Sequence, residues 1–495
     1  MSAEHFLPRP LVVLLLLVVA AGAPVAGVAQ AQPVRAPIVT RHVGTFNGQR
    51  VAYRAVVAET PVPKADGAPG AIVSSIAYLA EGAPAGERRP VVFLWNGGPI
   101  TASLYVHIGA FGPKRVAFPD DLAADTSRLP VVDNPYTILD IADLVFVDPA
   151  GTGFSRVAEG VDPATYASVV ADGRQVTAFI DRWLTEHDRR GSPVYLFGES
   201  YGTMRAAQVA RQLLDLPRPI GVAGVVLFGQ ALNIIEFSQR PGNIMSYVVS
   251  MPTLSAIAWH HGKVDRRGRT LDQFLDESRA FARDEYLQAL YDGDRLDPAT
   301  RARIAARLEE LTGIAAAYYL AHDLRISKED FRRELLRDRG LILGRYDGRY
   351  AAPPSDAPGG GDPSGVLSEA LQRGFMTYLR GDLGVDWPDY RFAAVPERGL
   401  EGWDWGASSP FSDWPYMNLI GEVLARVPTA RVAIGVGLYD TTTTTGASEY
   451  ALAQSGWPRE RAAILYYGGG HMAYSDEASL RKLMRDMRAF VRPAR

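Results

Sequence analysis

The spacing of the short apolar runs constrains this chain most. Residues 51–58, 72–79, 91–95, 144–147, 194–197, 222–228, 431–436 and 463–467 are short runs rich in β-branched side chains, and those from 91–95 onward are bounded by Gly, Pro or Asp. Helical patterns fill most intervals, most clearly over 201–214, where Met204, Ala207, Val209, Ala210, Leu213 and Leu214 form one apolar side. Strands separated by helices predict an α/β protein with a mostly parallel central sheet. The start differs. Phe46-Asn47-Gly48-Gln49 puts an Asn-Gly turn between two short segments, which predicts an antiparallel opening hairpin.

Between about 233 and 400 the strand rhythm stops and charged helical segments take over, as at 271–292 and 298–311. This block reads as an insertion. Its Pro/Gly-rich stretch 351–365 predicts an exposed loop or hinge, and Trp259, Tyr286, Tyr291, Tyr318 and Tyr319 are expected as aromatic surface. Insertions into α/β sheets tend to sit above the strand carboxyl ends, so a helical lid is expected, with a second packing layer as the alternative. At 495 residues the chain accommodates a sheet domain built from 32–232 and 401–495 with 233–400 inserted into it.

The first 31 residues read as a secretory signal rather than as fold. Residues 11–21 form an apolar run too short for a stable span, Arg9 precedes it, and Ala29-Gln30-Ala31 supplies a small-x-small cleavage site. An uncleaved anchor is the alternative. Absence of cysteine excludes disulfides, thiolate metal sites and a catalytic Cys, and in an exported chain fits a bacterial periplasm or exterior. A net charge of −3 gives no basic footprint for nucleic acid. No cofactor or metal is expected.

Gly198-Glu199-Ser200-Tyr201-Gly202 lies between a predicted strand and a predicted helix. In that setting G-x-S-x-G is a nucleophile elbow: small residues two before and two after the serine permit a strained turn that lifts the hydroxyl above the sheet. A serine hydroxyl needs a base, and the base needs an orienting carboxylate. Both follow later strands, Asp440 after 431–436 and His471 in the glycine-rich loop after 463–467, in the chain order Ser, Asp, His of α/β-hydrolases. Asp440 has a second reading as a helix N-cap before Thr441. Trp95-Asn96-Gly97-Gly98-Pro99 follows another strand, so the Gly98 and Tyr201 N–H groups are the expected oxyanion donors.

Segments 93–99, 109–116, 134–156, 195–205, 437–440 and 469–472 together resemble the serine carboxypeptidases, and more closely their bacterial exported branch. The resemblance implies an α/β-hydrolase that removes residues from peptide C-termini through an acyl-enzyme. It makes Ser200, Asp440 and His471 the triad, and sets Asn96 and Glu199 near the substrate's terminal carboxylate. Two departures stand out. Ile100 replaces a glycine of the family pattern, and Ala110 occupies the place where several relatives carry a second carboxylate-binding Glu. A related esterase or acyltransferase on small acylated substrates, and a non-catalytic binding protein of the same fold, are therefore kept as alternatives.

Overall fold

The computed structural model describes residues 34–82, 88–387, 391–395, 399–406 and 412–492. The expected signal segment 1–31 lies outside them. Nine strands run through the centre: β1 (Ile38–Phe46), β2 (Gln49–Pro63), β3 (Pro69–Ala80), β4 (Val91–Trp95), β5 (Asp143–Val147), β6 (Val194–Glu199), β7 (Gly224–Phe228), β8 (Arg431–Gly437) and β9 (Ala462–Tyr467). Their order is β1-β2-β3-β5-β4-β6-β7-β8-β9, and the two-residue strand Arg156–Val157 on β3 completes a ten-stranded sheet.

The hairpin expected at Asn47-Gly48 is present, both residues having positive φ (49° and 78°) as a tight two-residue turn requires. Strands β1, β2, β3 and β5 pair antiparallel, and from β5 onward every pair is parallel. The divide follows from side-chain pattern. Strand β2 alternates between buried and more exposed positions, whereas β4, β5, β6 and β7 are buried at every residue and must be covered on both faces.

Helices α1 (Val169–Glu186) and α2 (Gly202–Leu213) cover one face, and that core also takes in Ile420, Val423 and Leu424 from a later helix. The block between β7 and β8 contributes α3 (Met251–His260), α4 (Leu271–Phe281), α5 (Pro298–Thr312) and α6 (Gly365–Gly381). Chain order closes with α7 (Tyr416–Arg426), α8 (Thr445–Gln454) and α9 (Glu477–Val491). Helices α3, α4 and α5 share a core of their own, which Tyr439 joins from the loop after β8. Helix α6 instead packs Leu371, Phe375 and Tyr378 into the core of the opposite sheet face, together with Leu483 and Met487 of α9.

Three expectations for this block need correction. Tyr286 and Tyr319 are buried, because helices that build their own core turn aromatics inward; their hydroxyls meet the Leu324 carbonyl and the Thr312 hydroxyl. Helix 271–292 is interrupted by a π-turn at Ala282–Tyr286. Stretch 351–365 is not wholly loop: Ala351–Ala352 pairs with Ile342–Leu343 in a small hairpin. Tyr291 is exposed, as expected.

Candidate active site

Strand register brings the chemistry to one edge. Trp95 of β4 stands opposite Gly198 of β6, Glu199 opposite Phe228 of β7, Phe228 opposite Gly435 of β8, and Gly437 opposite Tyr467 of β9. Five strands therefore end together, and the loops leaving them carry Asn96–Gly98, Ser200, Gly229, Asp440 and His471.

Ser200 turns sharply out of β6 with φ of 60°, in the left-handed region that a non-glycine residue occupies only at a cost of about 1–2 kcal/mol. Its N–H donates to the Phe228 carbonyl (2.9 Å), and its carbonyl accepts from the Thr203 hydroxyl (2.7 Å). The flanking glycines have no room for a side chain. A Cβ on Gly198 would stand 2.1 Å from the Gly202 carbonyl oxygen, and one on Gly202 would stand 2.8 Å from that of Asn96. Gly97 is equally confined, with a Cβ falling 2.6 Å from the Tyr201 nitrogen. The β4 loop and the elbow are thus in backbone contact, and among the described residues neither the Gly98 nor the Tyr201 N–H has a hydrogen-bond acceptor.

His471 Nδ1 lies 2.7 Å from Asp440 Oδ2 and both side chains are buried. Asp440 Oδ1 accepts from the Thr442 N–H (2.7 Å) and hydroxyl (2.6 Å) and from the Thr443 N–H (3.1 Å), and its other oxygen accepts from the Thr443 hydroxyl. The N-cap alternative for Asp440 does not hold: Thr444 occupies the N-cap position of α8, without a side-chain capping bond, and Asp440 ties the preceding turn. Burial opposes the charge on Asp440, but His471 and the Thr442 and Thr443 hydroxyls outweigh it and hold the carboxyl below its usual range. For His471, burial lowers the pKa, and Asp440 together with Glu199 more than reverses this, leaving it above 6.5. The imidazole sits against Gly229, whose Cβ would fall 3.0 Å from Cε1, beside the carbonyl that holds Ser200. No hydrogen bond joins Ser200 to His471 among the described residues; the two meet through the Phe228–Gly229 strand end, which accepts the Ser200 N–H and abuts the imidazole.

Asn96 and Glu199 are both buried. Asn96 Nδ2 donates to Glu199 Oε1 (3.0 Å) while its Oδ1 accepts the Tyr105 and Val106 N–H groups (3.1 Å each). Among the described residues Glu199 Oε2 has no hydrogen-bond partner, and burial pushes this carboxyl up to about 7. Ala110 lies fully buried in a π-turn, away from any polar role of its side chain. The ring of Tyr474 fills the space against Gly109; among the described residues its buried hydroxyl makes no hydrogen bond, and burial together with the nearby Glu199 carboxyl raises its pKa.

Residues 78–231 match the serine carboxypeptidase family model. That stretch holds the β4 loop and the elbow; Asp440 and His471 lie beyond it. The chain is 28% identical over 160 residues to serine carboxypeptidase-like 36 of Arabidopsis thaliana, covering 32% of this chain and 31% of that protein. It is 31% identical over 131 residues to a carboxypeptidase Y homolog of Arthroderma benhamiae, covering 26% and 24%. The matched stretches thus span less than a third of these relatives' own length. Among solved structures, Kex1Δp, a prohormone-processing carboxypeptidase from Saccharomyces cerevisiae, superposes with a TM-score of 0.54 at 14% identity, covering 88% of this chain and 91% of that one. The fold is that of the α/β-hydrolases.

Several residues of the site carry no local signal. The segment Arg345–Arg349, from the inserted block, straps both triad loops. The His471 N–H donates to the Tyr346 carbonyl (2.6 Å) and Gly470 N–H to Asp347 Oδ2 (3.0 Å), while Thr441 Oγ1 donates to the Arg345 carbonyl (2.7 Å) and Gly348 N–H to that of Tyr439 (2.9 Å). Arg349 neutralises Asp347 at 2.7 Å. Lys328 Nζ lies 3.5 Å from the Thr442 carbonyl, and burial lowers it to about 8.

Proposed function

We propose that the protein is a serine hydrolase of the carboxypeptidase type, with Ser200 as nucleophile, His471 as base and Asp440 as its orienting acid. One observation carries the reading: a serine held at a strained elbow, beside a buried His–Asp pair and two backbone N–H groups without acceptors. Ser200 Oγ attacks the scissile carbonyl carbon as His471 Nε2 takes its proton, and the oxyanion is received by the Gly98 and Tyr201 N–H groups. Collapse breaks the C–N bond, His471 returns the proton to the leaving amine, and water repeats the sequence to free the acyl group.

Peptide specificity rests on Glu199 and Asn96. A carboxyl that titrates at about 7 still carries its proton in mildly acidic solution, so Glu199 can donate Oε2–H to a terminal carboxylate without repulsion. Residues 233–400 serve as the lid of a catalytic domain formed by 32–232 and 401–495, and residues 1–31 direct export to a bacterial periplasm or exterior and are then removed. Among the described residues no helix is long and apolar enough to cross a membrane. The alternative, an esterase or acyltransferase, is favoured by Ala110, which supplies no second acid to pair with Glu199. Matched peptides ending in a free acid or an amide decide between them. A carboxypeptidase trims only the free acid, with loss of single C-terminal residues by mass spectrometry; equal rates on both, or turnover of esters alone, refute the carboxypeptidase reading.

A further inference from the structure

Behind the elbow, α2 buries a guanidinium that is fully engaged. Arg205 Nε donates to Asp172 Oδ2 (2.7 Å), Nη1 to the Asn96 carbonyl (2.7 Å) and Nη2 to the Pro99 carbonyl (2.6 Å). Its side chain is 0% exposed and that of Asp172 is 1% exposed. Asp172, from α1, also accepts from the Tyr201 hydroxyl (2.9 Å) and from Gln175 Nε2 (3.1 Å). A buried ion pair contributes little net stability compared with apolar side chains of similar size, so stability alone does not account for it. Its geometry is directional. The two carbonyls it grips bracket Gly97 and Gly98, and its carboxylate partner holds the ring of Tyr201.

We propose that Arg205, clamped by Asp172, is the positioning residue of the oxyanion hole. By drawing the Asn96 and Pro99 carbonyls toward α2, it turns the intervening Gly98 N–H outward and fixes the β4 loop against the elbow that carries the Tyr201 N–H. Both donors are thereby set by a single planar group, whose fixed fork no lysine reproduces. Gly98 lies at φ of 105°, a conformation a loop without such an anchor would leave readily. This inference rests on the serine hydrolase reading.

The test compares wild type with Arg205→Met, Arg205→Lys and the paired replacement Arg205→Met with Asp172→Leu, which removes both charges and so avoids stranding one of them in the core. Functional sites are counted by end-point titration with a fluorophosphonate. Expected per titrated site is a fall in kcat of about 10²–10³-fold with KM nearly unchanged, as for loss of one oxyanion donor. Affinity for a peptide aldehyde, whose tetrahedral adduct needs the hole, should fall in parallel, while binding of an uncleaved peptide to the Ser200→Ala form of each variant should not. Arg205→Lys should recover part of the loss by reaching one carbonyl. If the paired variant keeps its kcat and aldehyde affinity within threefold of wild type, Arg205 is a packing residue only. Wild type that neither turns over nor labels overturns the hydrolase reading as well, so the two failures are distinct.

Discussion

Ser200 pays for its position in backbone strain. Replacement by Gly should raise stability by about 1 kcal/mol, since Gly adopts positive φ freely, and should abolish fluorophosphonate labelling. Ser200→Ala keeps the strain and should lower turnover on the order of a million-fold with little change in melting temperature. Near-normal turnover in a clean preparation of either would remove Ser200 from the mechanism. Glu199 offers a second measurement. Its folded-state carboxyl titrates at about 7 against an ordinary 4.5, so between these values the folded chain holds a proton that the unfolded chain has lost. Stability therefore falls as pH rises through this window, by on the order of 3 kcal/mol when complete. Glu199→Gln should erase that loss, its melting temperature gaining on wild type from pH 4.5 to pH 8; a constant difference would mean that the carboxyl is not perturbed. For catalysis, kcat should rise with pH as His471 becomes neutral, on a limb above 6.5, whereas KM for a free-acid peptide should rise as Glu199 ionises near 7. The Glu199→Gln variant keeps the first effect, its limb moved to lower pH because Glu199 helps hold His471 up, and loses the second.

At the level of elements, the site is made by loops that touch through backbone. The His471 loop is held from outside by the strap Arg345–Arg349 and from inside by β8, where a Cβ on Gly437 would fall 1.9 Å from the Gly470 carbonyl oxygen. A Cβ on Gly470 would meet the Tyr346 carbonyl oxygen at 2.2 Å and the Asp347 Cβ at 2.5 Å. Gly470→Ala must therefore push strap and base apart, and a displacement of about 1 Å costs up to about 10²-fold in rate. The expected signature is a lower kcat, with KM and the melting temperature much less affected. Equal loss in kcat and in the fraction of folded protein would show that the strap stabilises rather than aligns.

Across the whole molecule, the helices α3, α4 and α5 form a core separate from those of the sheet, yet one that includes Tyr439, next to Asp440. Leu308 is completely buried there, and its truncation to Ala should cost about 2–5 kcal/mol. The loss should be local. Hydrogen exchange is expected to quicken in 251–312 and at the strap before it does in β4, β6 and β7, with turnover falling alongside. Uniform acceleration through the sheet would mean that block and sheet unfold as one unit.

What the sequence by itself determined is what depends on neighbours along the chain. Strand and helix alternation, the Asn-Gly hairpin, the glycines around Ser200, and the placing of Asp440 and His471 after strands are local, because periodicity and the need for positive φ are written in a few adjacent residues. Tertiary structure decided the rest. Arg205 looks like any arginine of an amphipathic helix until strand register brings the carbonyls of Asn96 and Pro99 against it. Tyr346 and Asp347 sit in an unremarkable loop until the inserted block folds back, and Tyr474 meets Glu199 across 275 positions of chain. Burial of Tyr286 and Tyr319 likewise depended on helices packing on one another. Such contacts join segments far apart in sequence, and their geometry follows from packing and register, which no local pattern encodes.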